Sequence, residues 1–290
     1  MKIDLKYNIK KDIELYLYSE KSNIDIFSVK TGISKSIINE IKKSGVTTDY
    51  NYERIYSFLF NNGYSINKAK EEILKETRKL VLFHGSKKGL NEVSAFGSRS
   101  NCDFGTGFYL GESFSNALNF VCENDKSCIY SFELDTKGLN IIEFACSLEW
   151  MIAICYYRNT IKEYENTKVV RDLIEKVEKA DVIIAPIVDN RMFYIMTLFA
   201  NGDINVNVAI HSLSASYMGK QYVLKTEKAI SNLKPIERYY LSIPERKQFI
   251  EQLEKRTIKI ETKLKMAKRE FRDGQYIEEV LKWENLILMV

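Results

Sequence analysis

Two short motifs with glycine constrain the fold of this chain more than any other feature of its sequence. The first, Leu82-Phe83-His84-Gly85-Ser86, ends an apolar pattern typical of a buried strand. The second, Phe104-Gly105-Thr106-Gly107-Phe108-Tyr109-Leu110, contains a further strand pattern. Glycine lets a backbone approach a ligand closely, because no side chain fills the space. The pair predicts a cleft beside two strands, with His84 and Tyr109 as candidate functional residues. A lone histidine after an apolar strand is most often only a structural polar group, and the adjacent glycines favour a binding role here.

Residues 1–75 form a predicted helical unit that we expect to be separable from the rest of the chain. Within it, residues 25–45 fit a helix-turn-helix, because Gly32 can adopt the left-handed turn conformation and Ser34 can cap the second helix. These positions resemble the helix-turn-helix of phage-repressor-like proteins, so DNA is a candidate partner through residues 25–45. The alternative is a helical module that docks on protein, because the outward helix carries Asn39 and lysines but no arginine for bidentate base contacts.

The remainder of the chain divides into two predicted segments. Residues 79–240 mix short strand patterns with helices and show no regular βα repeat, which favours the α+β class over a doubly wound sheet. Residues 244–290 are helical and charged, with apolar residues at heptad spacing until Gly274 and a second helix from Tyr276 to Leu286. We expect a C-terminal helical hairpin that packs on the preceding domain. An arm for dimerisation or antitoxin binding is the alternative.

Composition excludes several classes of protein. The longest apolar stretch, Trp150 to Tyr157, is too short to span a membrane, and the N-terminus lacks the hydrophobic region of a signal peptide. The five cysteines form no Cys-x-x-Cys pair, which predicts reduced thiols in a cytoplasmic protein without a metal site. A net charge of +4 permits contact with nucleic acid without arguing for it.

Residues 79–235 resemble the ADP-ribosyltransferase fold of the diphtheria-toxin and poly(ADP-ribose) polymerase type. The similarity is closer to a bacterial family of unknown function in that superfamily, often found in toxin–antitoxin or phage-defence settings. Besides the two glycine motifs, the segments that carry it are Ser113–Phe120, Asp181–Phe193 and Gln221–Ala229. The resemblance implies a split β-sheet core, NAD as co-substrate, a protein or nucleic acid as acceptor and, in the toxin setting, an antitoxin.

The resemblance also assigns roles to residues at matching positions. His84 would bond a ribose hydroxyl, and the backbone of Gly85 would hold the nicotinamide amide. The other contacts implied are Ser86 with the adenosine ribose, Gly107 with the donor through close backbone approach, and Tyr109 and Phe120 on either side of the nicotinamide ring. Asp189 and Arg191 are candidates for binding phosphate or acceptor, with a helix cap and a structural ion pair as the alternative.

One position departs from the superfamily pattern. The catalytic glutamate of the superfamily lies at the start of a late strand, and Gln221 occupies that place here, with Glu227 further along as a second candidate. Breaking a glycosidic bond builds positive charge on the ribose, which a carboxylate stabilises and an amide does not. We therefore expect mono-ADP-ribosylation rather than polymer elongation. The rival interpretations are an inactive module that senses NAD or a nucleotide, and a DNA-binding transcription regulator.

Overall fold

A seven-stranded mixed sheet lies at the centre of the structure, a computed structural model that describes residues 1–282. The strand order across the sheet is β4-β5-β6-β2-β1-β3-β7, and the β4–β5 pair alone is parallel within the described residues. In chain order the strands are β1 (Val81–Ser86), β2 (Phe108–Gly111), β3 (Cys128–Leu134), β4 (Ile141–Glu143), β5 (Val182–Pro186), β6 (Lys220–Leu224) and β7 (Leu233–Tyr240). With helices packed around this sheet, the α+β class is confirmed.

The sheet consists of two parts that meet at a single pair of residues. Strands β4, β5, β6 and β2 form one part, and β1, β3 and β7 form the other. Between β2 and β1 only Phe83 and Gly111 are paired, whereas β1 pairs with β3 along its whole length, from Val81 to Ser86. The two strands diverge beyond that pair, so a gap opens in the sheet beside the end of β1.

Helices surround both parts of the sheet. The N-terminal helices are α1 (Ile9–Ser19), α2 (Ile24–Thr31), α3 (Lys35–Ser44), α4 (Asp49–Asn61) and α5 (Ile66–Glu76). Those within and after the sheet region are α6 (Phe114–Asn119), α7 (Leu148–Tyr157), α8 (Lys168–Glu178), α9 (Asn190–Ala200), α10 (Val206–Ser214), α11 (Glu227–Ser231), α12 (Ile243–Glu270) and α13 (Ile277–Lys282). None of these helices combines the length and the apolar content needed to cross a membrane.

The turn between α2 and α3 has the predicted helix-turn-helix geometry. Gly32 lies in the left-handed region at φ 65°, and the Ser34 side chain accepts a hydrogen bond from the backbone of Ile37 as the N-cap of α3. Asn39 and the lysines of α3 face outward, whereas Ile38 and Ile41 are buried.

Residues 1–5 belong with the sheet rather than with the helical unit, and Tyr7 contacts both. The N-terminal amine donates to the carbonyl of Val93, and Ile3 is buried against the sheet. The helical unit itself packs on β7 and α12. Lys70 of α5 lies buried between Asp12 and Glu237, with nitrogen–oxygen distances of 2.7 Å to each carboxylate.

The C-terminal helices pack on the main core. Ile260, Leu264 and Ala267 of α12 are buried in the cluster that also contains α7, α8, α9 and α10, so the heptad spacing serves packing within this chain. Helix α13 follows the break near Gly274. Residues 283–290, which include the end of the predicted second helix, lie outside the described residues.

Candidate functional site

A cleft of about 780 Å³ lies along the gap between β1 and β2. Its walls are β1 and β2 themselves, the long loop over residues 87–107, and one side of α6. Ligand sites favour concave places where few polar groups converge, and long loops without secondary structure often carry function. This cleft is therefore the candidate site, and the predicted residues can be placed relative to it.

His84 lines the cleft with a fixed ring orientation. Its Nδ1 donates a hydrogen bond to the carbonyl oxygen of Tyr109, 2.8 Å away, and the ring stacks on Phe108 with centroids 4.5 Å apart. The side chain thus occupies the place where β1 and β2 would otherwise pair. Because a carbonyl oxygen only accepts, the proton is on Nδ1. Burial lowers the pKa of His84, so the ring is neutral near pH 7 and Nε2 is an acceptor.

Gly85 presents unpaired backbone groups to the same gap. The backbone amide of Leu134 in β3 donates to the carbonyl of Leu80, just before β1. Because backbone N–H and C=O groups alternate in direction along a strand, every second residue from Leu80 onward directs its backbone groups toward β3. Gly85 belongs to the other set, which faces β2, yet it has no partner on β2. A β-carbon at Gly85 would lie 2.5 Å from the carbonyl oxygen of Ala117, so only glycine allows α6 to pack here.

Gln221 is buried at the start of β6, beside Gly111 of β2. Its Nε2 donates to Oδ2 of Asp103 at 2.9 Å and to the carbonyl of Pro186 at 3.1 Å. Both partners are acceptors, so they fix the amide with its nitrogen toward them. The Oε1 atom has no hydrogen-bond partner among the described residues, is not buried, and belongs to a residue that lines the cleft. Gln221 therefore offers an acceptor to the cleft.

Asp103 and Arg158 are site residues that the sequence analysis missed. Asp103 is 6% exposed, and its Oδ1 accepts from Nε of Arg158 at 3.0 Å. The guanidinium of Arg158 lies over the ring of Phe193, 4.4 Å from its centroid. Arg158 lines the cleft from the position directly after the end of α7 at Tyr157. The only sequence signal was the position of Asp103 directly before the second glycine motif.

Tyr109 and Phe120 both line the cleft but in different ways. The Tyr109 hydroxyl donates to the carbonyl of Gly105 at 2.7 Å and accepts from the amide of Phe104 at 3.0 Å, which fastens the loop that carries Asp103. Burial raises the pKa of Tyr109. Phe120 follows α6 and is 53% exposed, so its ring is available to a ligand.

Gly107 lines the cleft, and its missing side chain also has a structural role. A β-carbon there would lie 2.6 Å from a methyl group of Val223, so the missing side chain makes room for β6. Its close approach to a donor stays a prediction.

Ser86 and Glu227 do not border the cleft. The Ser86 hydroxyl donates to the carbonyl of Gly89 at 2.6 Å. Glu227 begins α11, beyond the far end of β6, about 20 Å of extended chain from Gln221. It accepts hydrogen bonds from the amide of Ala95 and the hydroxyl of Ser94, which lower the pKa of Glu227. Glu227 therefore anchors the 87–107 loop and does not lie beside Gln221.

Asp189 and Arg191 form a helix cap and an ion pair, as in the structural alternative. Asp189 accepts from the amides of Arg191 and Met192 at the start of α9, each at 2.9 Å. The Arg191 guanidinium pairs with Asp189 and donates to the carbonyl of Leu253 and the hydroxyl of Thr257 in α12.

Arg99 is the remaining basic residue of the cleft. It lies exposed on the 87–107 loop. Within residues 1–282 its guanidinium has no ion pair, whereas that of Arg158 is paired with Asp103. Arg99 is therefore free to meet an anionic group.

Residues 80–235 match the family described as Protein of unknown function (DUF3990), and this segment covers more than half of the chain. The chain belongs to the DUF3990 family. No curated protein and no solved structure matches it. In this DUF3990 protein His84, Asp103, Arg158 and Gln221 all lie within the matched segment, whereas α1–α5 and α12–α13 lie outside it.

Proposed function

We propose that this DUF3990 protein is an NAD-dependent mono-ADP-ribosyltransferase. The observation that carries the proposal is the pair of fixed acceptors, Nε2 of His84 and Oε1 of Gln221, in one cleft. Their strands are separated only by β2, about 10 Å at the standard spacing. A ribose presents two neighbouring hydroxyl donors, so two acceptors on opposite sides of a gap suit it.

Other groups of the cleft suit the rest of the dinucleotide. The free amide and carbonyl of Gly85 match the donor and acceptor of a carboxamide. The exposed ring of Phe120 offers a stacking face for nicotinamide, and Arg99 offers a cation for the diphosphate. The two-part sheet supports the same assignment, since it is the arrangement that the resemblance implies.

The chemistry follows from these contacts. Scission of the bond between the ribose C1′ and the nicotinamide nitrogen leaves the electron pair on nicotinamide and positive charge on the ribose, and an acceptor nucleophile then bonds to C1′. His84 and Gln221 hold the hydroxyls while that charge develops. Gln221, an amide, lines the cleft at the strand position where the superfamily has its glutamate, which supports single transfer over chain elongation.

The proposed partners come from the resemblance and from the N-terminal helical unit. The acceptor is a cytosolic macromolecule, and a toxin or phage-defence role with an antitoxin follows from the resemblance alone. The outward face of α3, with Lys35, Asn39 and Lys43, supports DNA as a partner of residues 25–45. A regulator that binds DNA and a ligand without turnover is the second candidate function.

The test is nicotinamide release from NAD by the full chain, alone and with a lysate as source of acceptor. The variant His84→Ala should weaken NAD binding by about 1–3 kcal/mol, because the ribose hydroxyl loses its acceptor. The matched control is His211→Ala, which removes the only other histidine from the exposed side of α10. Undiminished NAD binding by His84→Ala in calorimetry would overturn the donor site. Binding without release under any condition would favour the sensing module.

A further inference from the structure

We infer that Asp103 is a positioning residue of this site, which holds the Gln221 amide with its oxygen toward the cleft. The inference rests on the proposed function for its effect on turnover. The hydrogen bonds around the two side chains carry it.

Asp103 accepts from two donors at once. Its Oδ1 receives Arg158, and its Oδ2 receives Nε2 of Gln221. Only a carboxylate can accept on both oxygens, because an asparagine would turn an NH₂ group toward one of the two donors. The Asp103 carboxylate thus requires that the NH₂ group of Gln221, and not its oxygen, faces Asp103.

The same contact polarises the amide. A hydrogen bond to an ionised acceptor is stronger than a neutral one, and an amide that donates strongly becomes a better acceptor at its oxygen. Arg158 balances the charge of Asp103 on the side away from Gln221, where its guanidinium lies on Phe193. The negative end of the pair is therefore next to Gln221, at the place where the superfamily has a glutamate.

The 103–107 segment is held in place by Tyr109. Its hydroxyl bonds to the backbone of Phe104 and Gly105, directly after Asp103. Because these hydrogen bonds hold the loop in place, the Asp103 carboxylate has a defined position relative to Gln221 in β6.

The substitution Asp103→Asn should reverse the Gln221 amide. The oxygen of the asparagine at position 103 can still accept from Arg158, but the asparagine nitrogen then faces Gln221. Gln221 must therefore turn its own oxygen toward the asparagine and its NH₂ group toward the cleft. The turnover number for nicotinamide release should fall about 10–1000-fold, the range for one lost transition-state contact, with little change in KM.

The double variant Asp103→Asn/Gln221→Glu should restore activity. One oxygen of the new carboxylate at position 221 accepts from the amide of the asparagine at position 103, and the other oxygen faces the cleft. The carbonyl of Pro186 loses its donor in this variant. By contrast, Gln221→Glu alone sets two carboxylates against each other and should lose activity. At least a tenfold gain of the double variant over Asp103→Asn is expected. Asp181→Asn is the control, because Asp181 is a buried carboxylate that binds Lys228, away from the cleft.

Urea unfolding of the wild type, Asp103→Asn, Gln221→Glu and the double variant separates this inference from the proposed function. The two substitutions should be non-additive in the free energy of unfolding, with the double variant more stable than Gln221→Glu. Additive effects, or a wild-type turnover number in Asp103→Asn, would overturn the positioning role. A further outcome is that the wild type releases no nicotinamide while the free energies of unfolding are non-additive. In that case the proposed function fails and the positioning of Gln221 by Asp103 stands.

Discussion

At the residue scale, main-chain carbonyls set the direction of the two central side chains. The carbonyl of Tyr109 orients His84, and the carbonyl of Pro186 helps to orient Gln221. Backbone atoms of strands move little, so both acceptors are in place before a ligand arrives. Preorganised groups lose little conformational entropy on binding, so the arrangement suits a site that orients its ligand.

Arg99 should bind the diphosphate part of NAD. In Arg99→Ala the Kd for NAD should rise about fivefold, the scale of one exposed ion pair, and the dependence of Kd on salt should weaken. Lys88→Ala is the matched control, since Lys88 is a basic residue of the same loop that does not line the cleft. The measurement is calorimetry with NAD and with nicotinamide riboside. Equal losses for the two ligands would contradict a diphosphate contact, because the riboside has none.

At the scale of elements, helix α6 joins the cleft to the N-terminal helical unit. The start of α6 is held by the reciprocal hydrogen bonds of Ser113 and Asn116. Glu71 of α5 adds a carboxylate oxygen that accepts from the amide of Phe114 at 3.1 Å. Donors at a helix N-terminus need such partners, and a carboxylate also suits the helix dipole. Ala117 and Phe120 of this region line the cleft, so a distant residue of α5 supports its wall.

Loss of Glu71 should therefore alter ligand binding in the candidate cleft. Glu71→Ala should lower the free energy of unfolding by about 1 kcal/mol, as for a lost helix cap, and raise the KM for NAD several-fold with little change in turnover number. Glu72→Ala is the control, because Glu72 is an exposed neighbour on α5 whose nearest cation is Lys68. An unchanged KM in Glu71→Ala, together with a normal fold by circular dichroism, would show that α6 is held without α5.

The elements that could be predicted from the sequence are those with local signals. Strand β3 and the Ser113 cap of α6 follow from alternating apolar residues and from capping chemistry, both of which involve neighbours in the chain. The left-handed conformation of Asn159 at φ 57°, just after the end of α7, has no such signal, because an apolar pattern does not reveal it. The contact of Asp103 with Gln221 joins residues far apart in sequence, and no local pattern encodes it.

At the scale of the whole molecule, the helical unit is firmly docked rather than loosely attached. Asn67 of α5 donates to the carbonyl of Tyr240 and to the carboxylate of Glu245, and Lys70 lies between Asp12 and Glu237. The expectation that residues 1–75 are separable rested on the change in sequence pattern, which says nothing about side chains that meet across a boundary. Because polar side chains of the two parts are paired across this boundary, we expect the unit and the sheet domain to unfold together.

Glu245 provides a test of this junction through pH. Burial raises the pKa of Glu245 to about 7, although the Asn67 hydrogen bond and Lys70 favour the ionised form. Because the pKa of Glu245 is higher in the folded than in the unfolded protein, protonation of Glu245 stabilises the folded state. This contribution to the free energy of unfolding is fully present below about pH 4.5 and is lost as the pH rises to about 7. The loss should be about 1–3 kcal/mol.

The variant Glu245→Gln should remove that contribution to the pH dependence. A glutamine still accepts from Asn67 but carries no charge. The free energy of unfolding of the variant should therefore rise relative to that of the wild type as the pH increases from 5 to 8, by about 1–3 kcal/mol. Other groups titrate equally in both proteins, so the difference between their urea unfolding curves isolates Glu245. Glu254→Gln, on the exposed side of α12, should leave the pH dependence unchanged. Parallel stability curves for the wild type and Glu245→Gln would mean that the pKa of Glu245 is not raised in the folded protein, and Glu245 would then not contribute to the docking of the helical unit through its protonation.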